Sequence, residues 1–335
     1  MTTTSALRVG LVGAGGISGF HLPHWLRLGA DVHVYSDRGA EDLTDRYGGT
    51  VASSLIELFD AVDVVDVVTP THTHRPIVEA ALHAGKDVIS EKPLARSVDD
   101  ARAMTELAAA LGRRLYPAHV VRYFPEYRRL QQAVVAGTLG DLAVLRFARS
   151  GAAPTSVPWF ADRALSGGII LDQMLHDIDI ARWIAGPVTR VSARSSAVTD
   201  RDGRVEAAHV LLTHRDGAIS EIAGVWGPPH LRFTTEFSVT GTGGRLEHSS
   251  ARERPVCADL PPAAGSGGFV PETDPDNDPY FLQLQELADA IRTGSTPRVG
   301  PWDGVEAVRI GNAAIESVDL GVPVDLVDTT TGVTA

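Results

Sequence analysis

The sequence predicts an α/β protein built as two domains, the first around a doubly wound parallel sheet. Three observations carry this. Strand-length apolar runs alternate with helical stretches from Leu7 to Val120, the first run ends in a glycine-rich turn, and after Val188 the pattern changes to strands of alternating character separated by glycine turns. A chain of 335 residues exceeds what one core normally serves. We place the boundary between Leu115 and Asp141, giving a dinucleotide-binding domain over 1–122 and a substrate-binding and oligomerisation domain over 123–335.

Leu7 to Val12 reads as the first strand, followed by Gly13-Ala14-Gly15-Gly16-Ile17-Ser18-Gly19 and a helix. Strand, glycine turn and helix start form a dinucleotide fingerprint: Gly13 permits the tight turn and Gly15 lets a pyrophosphate approach the helix N-terminus. Ser18 holds the third small position, and Pro23 is expected to kink or break the helix. Val32 to Ser36 is a second strand with Asp37 at its end, where an acid suits the ribose hydroxyls of the adenosine half. Arg38 beside it keeps NADP open as well as NAD.

Ser54, with Glu57 three residues on, caps a short helix, and Val62 to Thr69 is a buried strand stopped at Pro70. Thr69, Pro70, Thr71, His72, Thr73 and His74 then lie at a strand's carboxyl end, the edge where ligands bind in open parallel sheets. His74 to Ala84 is helical, and Asp87 to Ser90 is a strand that runs into Glu91-Lys92-Pro93. Lys92 is thereby held at the same edge by a turn that proline stiffens. Ser97 to Leu111 is a helix, Leu115 to Val120 a strand, and Pro125 to Val135 a helix closed by Gly137.

Leu142 to Arg149 opens the second domain, and the loop Ser150 to Ser166 carries Trp159 and Phe160, suited equally to covering a substrate's apolar face or to plugging the domain interface. Gly167 to Ala185 reads as one largely buried helix on which Asp172 and His176, four apart, share a face. A polar pair on a buried helix is either a structural hydrogen bond or a site. Turns at Asp202-Gly203, Asp216-Gly217 and Gly241 to Gly244 divide a meander, Pro261 to Asn277 is a long surface loop, and Pro279 to Arg292 and Asp303 to Leu320 are helices before a last strand at Val322 to Leu326. Tyr280 is expected to pack in the core.

Composition narrows the function. A net charge of −12 argues against nucleic-acid or anionic-membrane partners. No apolar stretch reaches the roughly 18–20 residues of a spanning helix, and the first residues lack a signal-peptide pattern, so a cytoplasmic location is expected. Cys257, the single cysteine, leaves no internal disulfide or thiolate metal cluster. His72 with His74, and Asp172 with His176, each lack a third ligand nearby, so no metal is expected.

These residues resemble the glucose-fructose oxidoreductase, inositol dehydrogenase and MocA-like family, Gfo/Idh/MocA. The resemblance rests on Gly13-Ala14-Gly15-Gly16-Ile17 with His21, on Pro70 and His74, on Glu91-Lys92-Pro93, and on Gly167-Gly168 leading into Asp172 and His176. Arg122-Tyr123-Phe124-Pro125 and the pattern Gly294, Pro297, Gly304, Ala307, Ser317 and Gly321 extend it over nearly the whole chain. The resemblance implies an N-terminal Rossmann domain and a C-terminal α/β domain with an open, mostly antiparallel sheet used for subunit association. It also implies a cis Lys92-Pro93 bond.

The reaction then expected is hydride transfer between a nicotinamide cofactor and a secondary alcohol, or the corresponding ketone, of a sugar, cyclitol or related polyol. Lys92, Asp172 and His176 are the catalytic candidates: His176 for proton transfer, Lys92 to polarise the same oxygen, Asp172 to orient, with the first two roles interchangeable at this level. Cofactor contacts are expected from Gly13, Gly15, Gly16, Ile17, Asp37, Arg38, Thr69, Pro70, Thr71, His74, Glu91 and Lys92. Substrate contacts are expected from Lys92, His119, Arg122, Trp159, Asp172 and His176, in a homodimer or homotetramer. Two other classes stay open, a dinucleotide-binding sensor without turnover and an NAD-dependent glycosidase.

Overall fold

The computed structural model describes residues 6–154, 157–200, 203–251 and 278–327. Cys257, Asp202 and the Pro261 to Asn277 stretch lie outside these residues. Two compact units make up the chain: Met1–Pro125 with Thr273–Val308, and Glu126–Glu272 with Arg309–Ala335.

In the first unit the elements alternate: β1 (Arg8–Val12), α1 (Ser18–Arg27), β2 (Asp31–Tyr35), α2 (Ala40–Tyr47), β3 (Thr50–Val51), α3 (Leu55–Ala61), β4 (Val64–Val67), α4 (His74–His83), β5 (Asp87–Glu91), α5 (Val98–Ala110) and β6 (Leu115–Ala118). All the strands pair in parallel in the order β3-β2-β1-β4-β5-β6. The order reverses between β1 and β4, the switch point at which doubly wound sheets bind ligands. Caps account for the helix starts: the Ser54 hydroxyl accepts from the Glu57 N–H at 3.1 Å, and that of Ser97 from the Asp100 N–H at 3.1 Å.

Strand periodicity sorts the apolar side chains onto two faces. Val9, Leu11, Val32, Val34, Val64 and Ile89 pack with Leu22 and Trp25 of α1, whereas Val65, Val67 and Val88 pack with Leu58, Val78, Leu82 and Met104 of the helices opposite. The α1 face also buries Leu284 and Leu287, which come from a helix far along the chain (Pro279–Thr293). Pro23 does not end α1, which continues through it to Arg27. One missing backbone donor is tolerated because His21, Leu22 and Trp25 anchor the helix to the sheet on both sides of it.

The second unit begins in α6 (Pro125–Val135), continues through β7 (Leu142–Ala152) and carries a short α7 (Arg163–Ser166). The single helix expected over Gly167 to Ala185 is two, α8 (Gly168–Asp172) and α9 (Leu175–Ala185). At the junction the Met174 N–H reaches back five residues to the Ile169 carbonyl, 2.9 Å away, a wider turn than the α-helix makes. Met174 packs against Gly224, where an added Cβ would lie 2.5 Å from the Met174 Cγ. Asp172 and His176 therefore sit on two helices, at the end of α8 and in the first turn of α9, rather than on one.

The remaining elements are β8 (Val188–Asp200), β9 (Gly203–His214), β10 (Ile219–Gly227), β11 (Thr234–Gly241), β12 (Gly244–Ser249), α10 (Pro279–Thr293), α11 (Pro301–Leu320) and β13 (Val324–Asp325). The sheet order is β12-β11-β7-β10-β9-β8-β13, antiparallel except for the parallel pairing of β10 with β7. One face buries Leu145, Phe147, Ile222, Val210, Leu212 and Val191. Arg149 joins that face through a buried ion pair to Asp177 of α9 at 2.8 Å.

Candidate active site

The carboxyl ends of β1, β2, β4, β5 and β6 gather most of the predicted site residues of the first unit. Gly13 has φ +115°, and a Cβ there would lie 2.9 Å from the Val68 carbonyl oxygen, so only glycine fits. Gly15 and Gly16 face open space, and α1 has no side-chain cap at its N-terminus. A pyrophosphate can therefore approach backbone N–H groups with no side chain between, which is what an NAD site here requires. Ile17 is the residue at which α1 begins, and the Ser18 hydroxyl, donating to the Gly15 carbonyl at 2.5 Å, holds the loop. Asp37 and Arg38 stand exposed just beyond β2, where an adenosine ribose would be met.

Past β4, Thr73 donates to Thr69 Oγ1 at 2.8 Å or to the Pro70 carbonyl at 2.7 Å, and Thr71 is buried. His74 has Nε2 2.8 Å from the Thr69 carbonyl and Nδ1 3.1 Å from that of Pro93. Burial holds its pKa below the ordinary value, and its backbone partners tie the Thr69–Pro70 loop to the turn after β5. His74 thus braces these two loops with both ring nitrogens against backbone carbonyls. The Lys92-Pro93 bond is cis. Lys92 is half-buried, and its backbone N–H donates to Glu91 Oε2 at 3.0 Å.

His119 is buried at the carboxyl end of β6. Arg122 is 1 % exposed, with Nη1 donating to the Arg298 carbonyl at 3.1 Å and 3.3 Å from Asp303 Oδ2. These bonds tie the segment after β6 to Arg298 and to the first turn of α11. In the second unit, Asp172 is buried at the end of α8 and His176 half-buried in the first turn of α9. Trp159, half-buried, stacks on Phe160 with ring centroids 4.0 Å apart, and Phe160 meets Trp226 edge-on. Tyr280 stacks on Phe20 at 5.0 Å, as core packing predicts.

A cluster that sequence reasoning did not assemble lies beneath the Lys92 turn. Asp66, fully buried in β4, accepts from Trp25 Nε1 at 2.7 Å and lies 2.8 Å from His21 Nδ1. His21 Nε2 lies 3.3 Å from Glu91 Oε1. The signal was present in Val64-Val65-Asp66-Val67, since a charge inside a central apolar strand demands buried partners. Glu91, expected at the cofactor, has its carboxylate engaged here.

Residues 7–119 match the oxidoreductase family with the NAD-binding Rossmann fold, and residues 127–247 match the GFO/IDH/MocA C-terminal domain. The chain is 30% identical over 333 residues to myo-inositol 2-dehydrogenase of Thermotoga maritima, covering 93% of this chain and 96% of that protein. The chain belongs to the Gfo/Idh/MocA family. A second relative, scyllo-inositol 2-dehydrogenase (NAD(+)) of Bacillus subtilis, is 29% identical over 79% of this chain and 78% of its own. Among solved structures, GenD2 from gentamicin A biosynthesis, in complex with NAD, superposes with a TM-score of 0.85 at 27% identity over 98% of both chains. This Gfo/Idh/MocA chain is thus an oxidoreductase with an NAD-binding Rossmann domain, and the glycine loop described above fits that cofactor. Among the described residues, no helix is long and apolar enough to cross a membrane, and no cluster of His, Cys, Asp or Glu could hold a metal ion.

Proposed function

We propose that the chain is a dehydrogenase or reductase acting on a secondary alcohol of a sugar, cyclitol or related polyol, or on the corresponding ketone. The observation that carries this reading is the placement of Lys92. Its ammonium stem leaves the carboxyl end of β5 from a turn in which Glu91 accepts the Lys92 N–H, on the sheet edge that also carries the glycine loop. The bound nicotinamide supplies or accepts the hydride. Lys92 polarises the reacting oxygen, His176 carries its proton, and Asp172 orients the reacting groups through its charge. The relatives named for inositol oxidation support a ring polyol as substrate. A cytoplasmic setting, where nicotinamide cofactors are abundant, and a closed homo-oligomer complete the reading.

A panel of inositols, aldoses and their keto forms, offered with NAD, NADP and the reduced cofactors and followed by nicotinamide absorbance, tests it. Turnover of at least one ring polyol or its ketone is expected. Cofactor binding without turnover anywhere in the panel would argue for a sensor, and net hydrolysis of a glycoside without accumulating reduced cofactor for a glycosidase.

A further inference from the structure

The buried group formed by Asp66, His21 and Glu91 goes unused in the chemistry just described, yet it ends at the residue preceding Lys92. Strand register explains how it assembles. Asp66 shares the α1 side of the sheet with Val64 and lies beside Ile89 of β5; Glu91 is two residues further along the same side. The α1 face above offers His21 and Trp25, one turn apart. His21 and Asp66 are 0% exposed and the Glu91 side chain 9%.

The geometry sets the charge on the ring. Nδ1 faces the Asp66 carboxylate at 2.8 Å and Nε2 faces the Glu91 carboxylate at 3.3 Å, within ion-pair reach though not aligned as a hydrogen bond. A neutral imidazole would turn a lone pair towards one of these anions, so both nitrogens carry protons. From α10, Tyr280 also faces the ring, with centroids 6.4 Å apart. Burial acts to lower the His21 pKa, but the charge and hydrogen bond of Asp66, joined by Glu91, push it up to about 10. Glu91, which burial alone would raise, is held below its ordinary value by His21 and Lys92.

We propose that His21 is a positioning residue for Lys92: clamped as an imidazolium between Asp66 and Glu91, it keeps the Glu91 carboxylate ionised and fixed, so that this carboxylate can hold the backbone of the Lys92 turn. Asp66 orients the ring, and Trp25 holds the Asp66 oxygen that His21 uses. Without the imidazolium, Glu91 is a buried carboxylate short of a partner. It then takes a proton or swings away, and the turn loses the acceptor of the Lys92 N–H. The device resembles the outer partners that orient catalytic and metal-binding side chains elsewhere.

The proposal rests on Lys92 being catalytic, so its test has an arm that does not involve turnover. Nitrogen-15 spectra of histidine-labelled protein saturated with NAD should show one imidazolium surviving to about pH 9, well above the ordinary histidine range. That signal should vanish in His21→Gln, and Asp66→Asn should convert it to a neutral ring by about pH 8. On a substrate identified by the panel, Asp66→Asn should lower kcat by roughly tenfold while the Kd for NAD stays within about twofold, because it removes orientation and not a group that touches either ligand. A neutral His21 in the wild-type protein at about pH 7 overturns the proposal even if no variant folds. So does a folded Asp66→Asn protein with neutral His21 and undiminished kcat. Undiminished turnover in Lys92→Ala would instead strike the assignment of Lys92, while the spectra would still decide whether the imidazolium clamp exists.

Discussion

Asp37 and Arg38 stand exposed side by side past the end of β2, and we expect them to set the choice between the two nicotinamide cofactors. A carboxylate there accepts from a ribose diol and repels a 2′-phosphate, and about 1.4 kcal/mol of that difference is tenfold in affinity. Titration should therefore find NAD bound more tightly than NADP, and Asp37→Ala should close the gap; equal or tighter NADP binding by the unaltered protein would contradict this. The proposed mechanism places the proton chemistry at Lys92 and His176. Replacing either by Ala should cost roughly 10² to 10⁴ in turnover, the range of a positioned acid or base. The double variant should lose much less than the product of the two, because groups serving one transition state act as a unit. Steady-state kinetics on the panel substrate, with NAD titration as a control for folding, reads both. The sequence nominates these residues because each places a polar or charged side chain at a strand end or on a buried helix. It does not nominate the partners of Arg122, since Arg298 and Asp303 are nearly two hundred positions away in the chain.

At the scale of elements, the break between α8 and α9 decides how Asp172 and His176 are presented. The apolar pattern from Ile170 to Ile184 reads as one helix because periodicity is blind to a single widened turn. At this turn Met174 closely approaches Gly224 of β10, a tertiary contact that we expect to fix the junction. Gly224→Ala places a Cβ 2.5 Å from the Met174 Cγ and 2.6 Å from its Sδ. Because a methionine can partly give way, the expected cost is about 1–3 kcal/mol, the usual penalty of overpacking. Denaturant unfolding would measure it, and kcat should fall with it as the junction moves. Unchanged stability and kcat would mean that the junction is not set by this contact. The parallel pairing of β10 with β7 has the same origin: alternation marks each strand but not its neighbour.

Across the whole molecule, the open face of the second sheet displays Val198, Val205, Leu211 and Ile219, which are 64%, 41%, 42% and 40% exposed. Register puts them on one side: Val198 pairs with Val205, and Leu211 and Ile219 fall in step on β9 and β10. We expect this surface to be covered by a second copy in a dimer or tetramer, since closed symmetric association is the common way to bury such a face. Light scattering of the wild-type protein against Leu211→Asp with Val205→Asp should show the larger species only for the former, and a monomer throughout the micromolar range would remove the expectation. From sequence alone came the strand-helix order of the first unit, the glycine turn, the carboxylate at the end of β2 and the lysine at the end of β5, because each is encoded within a few consecutive residues. The tertiary structure decided what depends on chain segments far apart meeting: that α10 returns to pack on α1, that the predicted helix divides at Met174, and that Asp66, His21 and Glu91 close into one buried group. A side chain's charge state and task depend on which surfaces face it once water is gone, and local sequence holds only one side of each such pair.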